Sequence, residues 1–501
     1  MKSYTSHHRN ESESAISSNL PVELQLFDNP HQRHSTSYSM TNSNVENLES
    51  ANATDIDADA RRVGVGIRST SDTEAELQAE DPERVYQQLK PVDGGPAAWR
   101  LLIAAFVFEA ILWGFPISFG VFQDYYFTLP QFSTSKSQIA LIGTISQGLC
   151  YLGAPLSASL TKRFPKHQTH QIWLGLPICI SGLIAGSFCD SVQGLIWTQG
   201  VMYGCGFLIL TYPIISMINE WWIARKGMAF GLISAASGVS GAGMPFIIQF
   251  LLEKYGYKTA LRIIVVGITI LTVPLLPLLK GRLPPSERSR LARTNWGFLK
   301  NKLFYIYGSA TLIYGMGFFY PGVYLPSFAT NIGLSGTQGA AILAVMSVAQ
   351  VAGQFACGYL SDKNFSVNAL AVGCTIMATV SSLLLWSFAK STGLLIAYGI
   401  VYGFFGYGFS TMRVAMGKLI CSDPGSVVSI YSIFVCLQGV GNVLVGPISG
   451  GLLGERVVLG GYRVERYRDM VIYTGCCMAG CAGVISGWWL RRSGKAGRAV
   501  M

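Results

Sequence analysis

The stretch that decides the fold occurs twice in the chain. The first copy is Gly153-Ala-Pro-Leu-Ser-Ala-Ser-Leu-Thr-Lys-Arg163, and the second is Gly353-Gln-Phe-Ala-Cys-Gly-Tyr-Leu-Ser-Asp-Lys363, at an offset of 200 residues. Two further landmarks recur at nearly the same spacing, namely Tyr203-Gly204 with Tyr402-Gly403 and Pro245 with Pro447. Matched landmarks at one long spacing are typical of an internal duplication. The chain is therefore predicted to consist of two related halves.

Around these copies, the sequence is organised in long apolar stretches. Half of the 501 residues are hydrophobic and only 13% are charged, against roughly 25% in soluble domains. About 20 helical residues cross the hydrocarbon of a membrane, and a helix satisfies its own backbone polar groups there. Twelve stretches have this length, at 99–122, 137–160, 171–189, 194–219, 228–252, 258–279, 303–329, 337–360, 367–389, 392–419, 426–452 and 470–490. We predict an all-α membrane protein with twelve transmembrane helices in two pseudo-repeated six-helix halves.

The polar segments set the expected domain organisation and orientation. Basic residues are more numerous on the side that holds both termini, 18 against eight, which favours cytoplasmic termini. The expected membrane is the plasma membrane, with the vacuolar membrane as the alternative. The predicted parts are a disordered tail (1–90), a first half (91–279), a cytoplasmic linker (280–302), a second half (303–490) and a basic tail (491–501).

Charge and composition exclude several classes of protein. The net charge of +10 comes from short segments between apolar stretches, which predicts contacts with lipid headgroups rather than with nucleic acid. The six His lie only near the N-terminus and at 167–170, and no phosphate-binding Gly loop follows a strand. We therefore expect a monomer that is not an enzyme, with no catalytic residue, cofactor or metal.

The second copy of the repeat resembles a signature of the major facilitator superfamily, in Gly358-Tyr-Leu-Ser-Asp362-Lys363. The resemblance implies a conformational latch at the ends of helices two and eight. Gly358 would allow close helix approach, while Asp362 and Lys363, with Arg163 of the first copy, would join a charge network. Lys162 stands where the first copy should carry an acid.

Other motifs resemble the monocarboxylate porter family of that superfamily, and its fungal branch in particular, over residues 91–490. They are Asp93-Gly94-Gly95, Phe115-Pro116 and Glu220-Trp-Trp-Ile-Ala-Arg-Lys-Gly-Met-Ala-Phe-Gly231. Lactate-type members bind proton and carboxylate through a Lys, an Asp and an Arg, and the matching positions here are Ile117, Gln350 and Gln354. The departure argues against proton–lactate symport and favours an apolar or weakly polar substrate.

Ionisable groups inside the membrane are the first candidates for transport, because each costs roughly 2.5–3.5 kcal/mol to insert. Glu109 lies about 15 Å along helix one, on the same helix face as Trp113. We interpret it as a substrate-binding and proton-coupling residue; the alternative is a structural carboxyl bonded to a neighbouring helix. Arg413 shares a helical stripe with Tyr402, and either binds a substrate anion or pairs with Glu109. Its alternative is to snorkel to the headgroups.

Neutral polar and aromatic side chains complete the candidate site. Gln350 and Gln354 form a polar stripe that could bind a carbonyl or hydroxyl group, or else join helices. Tyr314, with Tyr203, Tyr402 and Trp113, could line a pocket for a bulky ligand, or else pack.

The sequence thus predicts a secondary active transporter that moves a small organic molecule by alternating access, coupled to protons through Glu109. Loss of the charged carboxylate site favours export of a fungal secondary metabolite. Uptake of a monocarboxylate or similar nutrient is one alternative, and a transporter-like nutrient sensor is another.

Overall fold

The structure is a computed structural model that describes residues 90–284, 287–289, 293–363, 365–452 and 465–498. These residues form helices and no strand. The tail predicted over 1–90 lies outside the described residues except for Lys90, while residues 491–498 continue the last helix.

Each of the twelve apolar stretches is helical in the structure. In chain order the helices are α1 Gly95–Thr128, α2 Lys136–Leu152 with Ala154–Arg163, α3 Gln168–Gly186, α4 Val192–Trp221, α5 and α6 within Lys226–Thr272, α7 Lys302–Phe318 with Tyr320–Asn331, α8 Gly336–Ser361, α9 Val367–Trp386, α10 Thr392–Ile420, α11 Pro424–Leu452 and α12 Glu465–Arg498.

Because some of the twelve helices are broken or joined end to end, fewer than twelve are continuous helices long and apolar enough to cross a membrane. Nine described helices meet these requirements of length and hydropathy, and a tenth meets them if α2, bent by 48° after Leu152, is one span. The helical segment Lys226–Thr272 contains both α5 and α6, which meet at a kink at Gly256 with φ 72°. Glycine is the residue that adopts this left-handed conformation without a steric penalty. The break at Phe319 divides α7.

Contacts at its midpoint and beyond the end of α6 show that the α5–α6 segment folds back on itself. Near Gly256, the Tyr257 hydroxyl donates to the Cys189 carbonyl at 3.0 Å. Beyond the far end of α6, the Lys280 carbonyl accepts a 3.0 Å hydrogen bond from the indole of Trp221, the last residue of α4. Since α5 also starts beside Trp221, the segment crosses the membrane twice.

The buried apolar residues form two clusters that correspond to the two halves. One cluster runs from Ala98 to Leu279 and adds only four valines from α10 and α11. The other runs from Phe298 to Ile485. In this part of the chain each half therefore has its own core, as the internal repeat predicts.

The tyrosines of the repeated Tyr-Gly pair make equivalent hydrogen bonds in the two halves. The Tyr203 hydroxyl of α4 donates to the Leu112 carbonyl of α1 at 2.6 Å. The Tyr402 hydroxyl of α10 donates to the Phe318 carbonyl of α7 at 3.4 Å. Each bond joins the fourth helix of a half to its first helix, so the duplicated Tyr-Gly pair is a structural element of the repeat.

The two halves meet along α5 and α8, where glycine permits close backbone approach. A Cβ atom added to Gly231 would lie 2.7 Å from the Gln354 carbonyl oxygen, and one added to Gly358 would lie 2.8 Å from the Gly231 Cα. These residues lie near the end of the bundle where α2, α4, α6, α8 and α10 finish, next to residues 280–301. We call this end the linker end.

Candidate functional site

Four charged side chains are buried in the described part of the chain: Glu109, Glu220, Lys226 and Arg413. Glu220 and Lys226 lie at the linker end. Glu109 of α1 and Arg413 of α10 lie further along their helices and come from different halves. Because a buried charge is costly unless it is paired, their surroundings define the candidate site.

The carboxyl group of Glu109 is 4% exposed and incompletely satisfied. Its polar neighbours are Trp113 and Thr211, but the Thr211 hydroxyl donates to the Phe207 carbonyl at 2.9 Å. Glu109 Oε1 has no hydrogen-bond partner among the described residues. A carboxyl that only held helices together would have its oxygens bonded, so this environment favours a group that takes up a proton or a ligand.

Arg413 is also buried, and it points into the protein. Its Nε donates to the Ser410 carbonyl at 2.7 Å, and its Nη1 donates to Oε1 of Gln438 on α11. The guanidinium lies 5.5 Å from the ring centre of Tyr431. No described carboxylate is within ion-pair distance of it. The snorkelling alternative is therefore wrong for this structure, because the partners of Arg413 are interior groups.

Three tyrosines lie near both of the buried charges. Tyr151 of α2, Tyr212 of α4 and Tyr431 of α11 each lie within the electrostatic range of both Glu109 and Arg413. Together, the three tyrosines and two charges form what we call the central cluster. It combines one acid, one base and aromatic hydroxyl groups from both halves, a composition suited to a weakly polar molecule with one acidic oxygen.

Trp113 borders the central cluster, with its ring centre 5.5 Å from that of Tyr151 and 5.1 Å from that of Phe207. It is half-buried, whereas the predicted tyrosines Tyr203, Tyr314 and Tyr402 are fully buried. Of the predicted aromatic residues, Trp113 is therefore the one best placed to contact a ligand.

Gln350 and Gln354 connect the two halves. Gln350 donates to Ser237 of α5 at 3.0 Å and to Gln354 Oε1 at 3.4 Å. Gln354 in turn donates to the Ser410 hydroxyl at 3.2 Å. The Ser410 carbonyl accepts from Arg413, so the amides link α5 to the buried guanidinium. In this conformation they join helices, the alternative foreseen for them.

Tyr203, Tyr314 and Tyr402 pack inside the protein, which is the alternative given for them in the sequence analysis. All three are fully buried, and Tyr314, like the other two, donates to a backbone carbonyl, that of Gly406 at 2.7 Å. A phenol that is buried and already bonded to the backbone has no free group to offer a ligand. These tyrosines stabilise helix junctions.

The expected stripe that joins Tyr402 and Arg413 is wrong. Helix α10 contains a π-helical turn at Tyr402–Gly406 and an interruption at Met412. A π turn inserts an extra residue and rotates the following helix face. Tyr402 therefore packs against Tyr398, whereas Arg413 faces α11.

At the linker end, Asp362 latches α8 to α5. Its Oδ1 accepts from the Gly227 N–H at 2.8 Å, and its Oδ2 accepts from the Met228 N–H at 2.7 Å. Lys418 of α10 lies 3.4 Å from Oδ1. A carboxylate at a helix N-terminus satisfies unpaired N–H groups and complements the helix dipole. The contact therefore holds the two halves together.

Two predicted latch residues lie outside this network. Lys363 is exposed, just beyond the end of α8, with its Nζ 5.0 Å from the ring centre of Tyr359. Arg163 is exposed and makes no ion pair with a described residue. Lys418 takes the role predicted for Lys363, because α10 brings it within 3.4 Å of Asp362. Lys162 takes the role predicted for Arg163, because residue 162 lies on the face of α2 that contacts α11 and the linker.

Lys162 of the first half occupies the position equivalent to Asp362 in the second half, and it joins the two halves with a positive instead of a negative side chain. Its Nζ donates to the Gly425 carbonyl at 2.5 Å, to Ser429 at 2.7 Å and to the linker residue Thr294 at 2.7 Å. The start of α11 is capped by its own Asp423, which accepts from the Ser426 N–H at 2.9 Å. An acid at 162 is therefore unnecessary here, and a base fits beside Asp423.

Asp362→Asn is expected to loosen the linker end. Hydrogen bonds to a charged group contribute about 1.5–3 kcal/mol, so local opening at Gly227 and Met228 should become about ten- to a hundredfold more frequent. Hydrogen–deuterium exchange of the peptide that carries these two amides measures it. Lys363→Gln is the matched control and should leave exchange unchanged. Equal exchange in Asp362→Asn and the unmodified protein would show that the carboxylate does not latch α5.

Asp93, known from the sequence only as part of a motif, fixes the entry to α1. Its side chain accepts from the N–H groups of Ile223 and Arg225 at 2.8 Å and of Ala224 at 3.0 Å. The motif Asp93-Gly94-Gly95 therefore contacts the motif that runs from Glu220 to Gly231. Sequence reasoning also missed Tyr151, Tyr212, Tyr431 and Gln438, which no spacing along the chain singles out.

The fold and the central cluster define a membrane carrier with two six-helix halves and a polar site between them. Residues 101–446 and 307–500 match the Major Facilitator Superfamily, and the chain belongs to this family. It is a transporter of the secondary, alternating-access kind.

Proteins of similar sequence include fungal transporters and one human transporter. The MFS-type transporter pynF of Aspergillus niger is 26% identical over 74% of this chain and 84% of its own length. The aspyridones efflux protein apdF of Emericella nidulans is 26% identical over 79% of each. Human monocarboxylate transporter 11 is 25% identical over 74% of this chain and 79% of its own, in agreement with the monocarboxylate-porter resemblance.

Solved structures share the fold. The E. coli fucose:proton symporter FucP aligns with a TM-score of 0.56 at 15% identity, over 77% of this chain and 98% of its own. A bacterial homologue of the iron transporter ferroportin, in an outward-facing state, aligns with a TM-score of 0.57 at 15% identity, over 78% and 98%. At this identity the likeness concerns the fold alone.

Proposed function

We propose that this transporter exports a small, weakly polar organic molecule by alternating access, coupled to proton entry through Glu109. The central cluster carries the proposal, because it places a buried acid and a buried base from opposite halves around shared tyrosines. Moving the halves apart would expose both charges to the same aqueous cavity. In such carriers the substrate binds between the halves near the midplane.

The chemistry of the cluster supports a bulky substrate with one acidic oxygen. Arg413 offers a positive charge whose present partners are neutral, and Trp113 and the three tyrosines offer aromatic surface. The family's charged positions carry Ile117, Gln350 and Gln354 instead. Two fungal relatives are named for efflux, the aspyridones efflux protein and the fujikurins efflux protein, which supports export of a fungal secondary metabolite.

The proposed arrangement in the cell follows the charge distribution. Both termini and the linker would face the cytoplasm, in the plasma membrane or alternatively the vacuolar membrane, and the protein would act as a monomer. The tail (1–90), halves (91–279 and 303–490), linker (280–302) and basic tail (491–501) remain the proposed domain borders. The structure then has its cytoplasmic end closed by Asp362 and Lys162.

Uptake of a monocarboxylate is the second candidate, favoured by similarity to human monocarboxylate transporter 11. In that case Arg413 would bind the carboxylate, and Glu109 would carry the co-transported proton. The geometry of the cluster serves both directions.

Deletion of the gene in its own organism separates the two directions. Comparison of metabolites in cells and medium should show at least one organic acid or phenol retained in the cells and depleted from the medium, and restored by the intact gene. If instead a short monocarboxylate accumulates in the medium and the cells lack it, the protein is an uptake carrier. Unchanged metabolite distribution would contradict both.

A further inference from the structure

The linker end carries a second feature, which lies outside the central cluster. An open cavity of 450 Å³ is formed by the end of α2, the residues after it and the linker. Its lining contains four Lys or Arg side chains and a His but no carboxylate; the residues are Lys162, Arg163, Phe164, Pro165, Lys166, His167, Ser289 and Arg293. Arg163, Lys166, His167 and Arg293 are exposed.

Three described acids near the lining residues each have a partner, and Glu287, two residues before Ser289, is one of them. Glu220 binds Arg288 at 3.2 Å, and Asp423 binds the start of α11, although it also acts on Lys162 electrostatically. Topology signals require only a sufficient number of Lys and Arg on one side. They do not require bases from separate segments to converge on one cavity, so this convergence indicates an anionic ligand.

The surface next to the cavity is apolar and exposed. Leu156 and Leu160 of α2 and Phe164, the first residue after it, follow one another at four-residue spacing, and Leu156 is 73% exposed. This stripe runs from the membrane-spanning part of α2 directly to the bases at 163–167. On the other side, Trp296 is 57% exposed three residues after Arg293, as is common for tryptophan at a membrane interface.

We propose that this cavity binds the phosphorylated headgroup of an anionic phospholipid, with an acyl chain along Leu156, Leu160 and Phe164. Basic pockets at the cytoplasmic ends of membrane helices suit such headgroups. The inference rests on the proposed orientation only for the choice of the cytoplasmic leaflet.

Lipid at this site would act on the closure of the linker end. The headgroup would contact Arg163 and Arg293, which flank the 2.7 Å contact between Lys162 and Thr294. Lys162 also holds α11. A bound headgroup therefore ties α2 and the linker at the point where α2 meets the other half.

Thermal unfolding of the full-length protein in neutral detergent tests the proposal without any transport. The probes are dioctanoyl phosphatidylinositol 4-phosphate, dioctanoyl phosphatidylcholine and the soluble headgroup inositol 1,4-bisphosphate. The first should raise the unfolding midpoint saturably, and the other two should not at the same concentration. Equal stabilisation by phosphatidylcholine would overturn the anionic site, and equal stabilisation by the soluble headgroup would overturn the role of the acyl chain.

Two charge-matched triple variants locate the site. Arg163→Gln, Lys166→Gln and Arg293→Gln together should raise the half-maximal lipid concentration about 100-fold, since each base near an anionic headgroup contributes about fivefold. Lys300→Gln, Lys302→Gln and Lys363→Gln remove the same charge from exposed positions outside the cavity and should leave it unchanged. If both triple variants weaken binding equally, the effect is non-specific and the site is refuted.

Discussion

Glu109→Gln is expected to abolish accumulation of the exported molecule against its gradient, while exchange of that molecule across the membrane continues. The amide keeps the size and the polar contacts of the side chain but cannot release a proton. Exchange should fall by no more than about tenfold, the equivalent of one altered hydrogen bond. The measurement uses proteoliposomes with an imposed pH gradient and the metabolite identified by gene deletion.

The matched control for this prediction is Asp124→Asn. Asp124 lies on the same helix and undergoes the same chemical change, but it is exposed, so accumulation should be preserved. Proton coupling through Glu109 is wrong if the Glu109→Gln protein still accumulates substrate, whatever its rate of exchange.

Arg413→Gln is expected to lower both net transport and exchange by about 30-fold or more. Loss of one partner from a buried, hydrogen-bonded charge site costs about 2–5 kcal/mol, and each 1.4 kcal/mol is a factor of ten. Arg413→Lys should recover little of the flux. A lysine cannot contact the Ser410 carbonyl and Gln438 together while its cation lies against Tyr431.

A fall in the flux of the Arg413→Gln protein could also result from misfolding. The control is therefore the same Arg-to-Gln change at a position outside the central cluster. Arg262→Gln is suitable, because Arg262 is exposed, donates to Ser187 at 3.2 Å and lies 4.7 Å from the Phe188 ring centre. Its flux should stay within about twofold, as for most surface substitutions. Arg413 is not part of the transport site if its Gln variant elutes as a folded protein and transports normally.

The architecture was predictable because membrane-spanning helices have a strong hydropathy signal in the sequence. Length, hydropathy and the repeat at an offset of about 200 residues are local or periodic signals, and they located all twelve helices. The one-residue reversal at Gly256 was visible only as a short polar interval, since a glycine with positive φ looks like any other glycine in a sequence. The relation of the Asp93 motif to the start of α5 was likewise invisible, because it depends on folding.

The central cluster was predictable only in its charges. Glu109 and Arg413 stand out because ionisable groups are rare in apolar helices. Tyr151, Tyr212 and Tyr431 do not stand out, because tyrosine is common in such helices and their convergence requires α2, α4 and α11 to meet. The stripe predicted for Tyr402 and Arg413 was wrong for a related reason: regular helical spacing placed both on one face of α10, and the π turn at Tyr402–Gly406 rotates the helix between them.

The reversed charge at position 162 has a consequence for how such a duplicated chain can change over time. Two copies that began alike now close the same end of the molecule with opposite charges, Asp362 in one and Lys162 in the other. An acid placed at 162 would face Asp423 at the start of α11, and the two carboxylates would repel each other. A carboxylate at 162 would therefore require a different residue at 423, so the residues at 162 and 362 cannot be exchanged between the two halves.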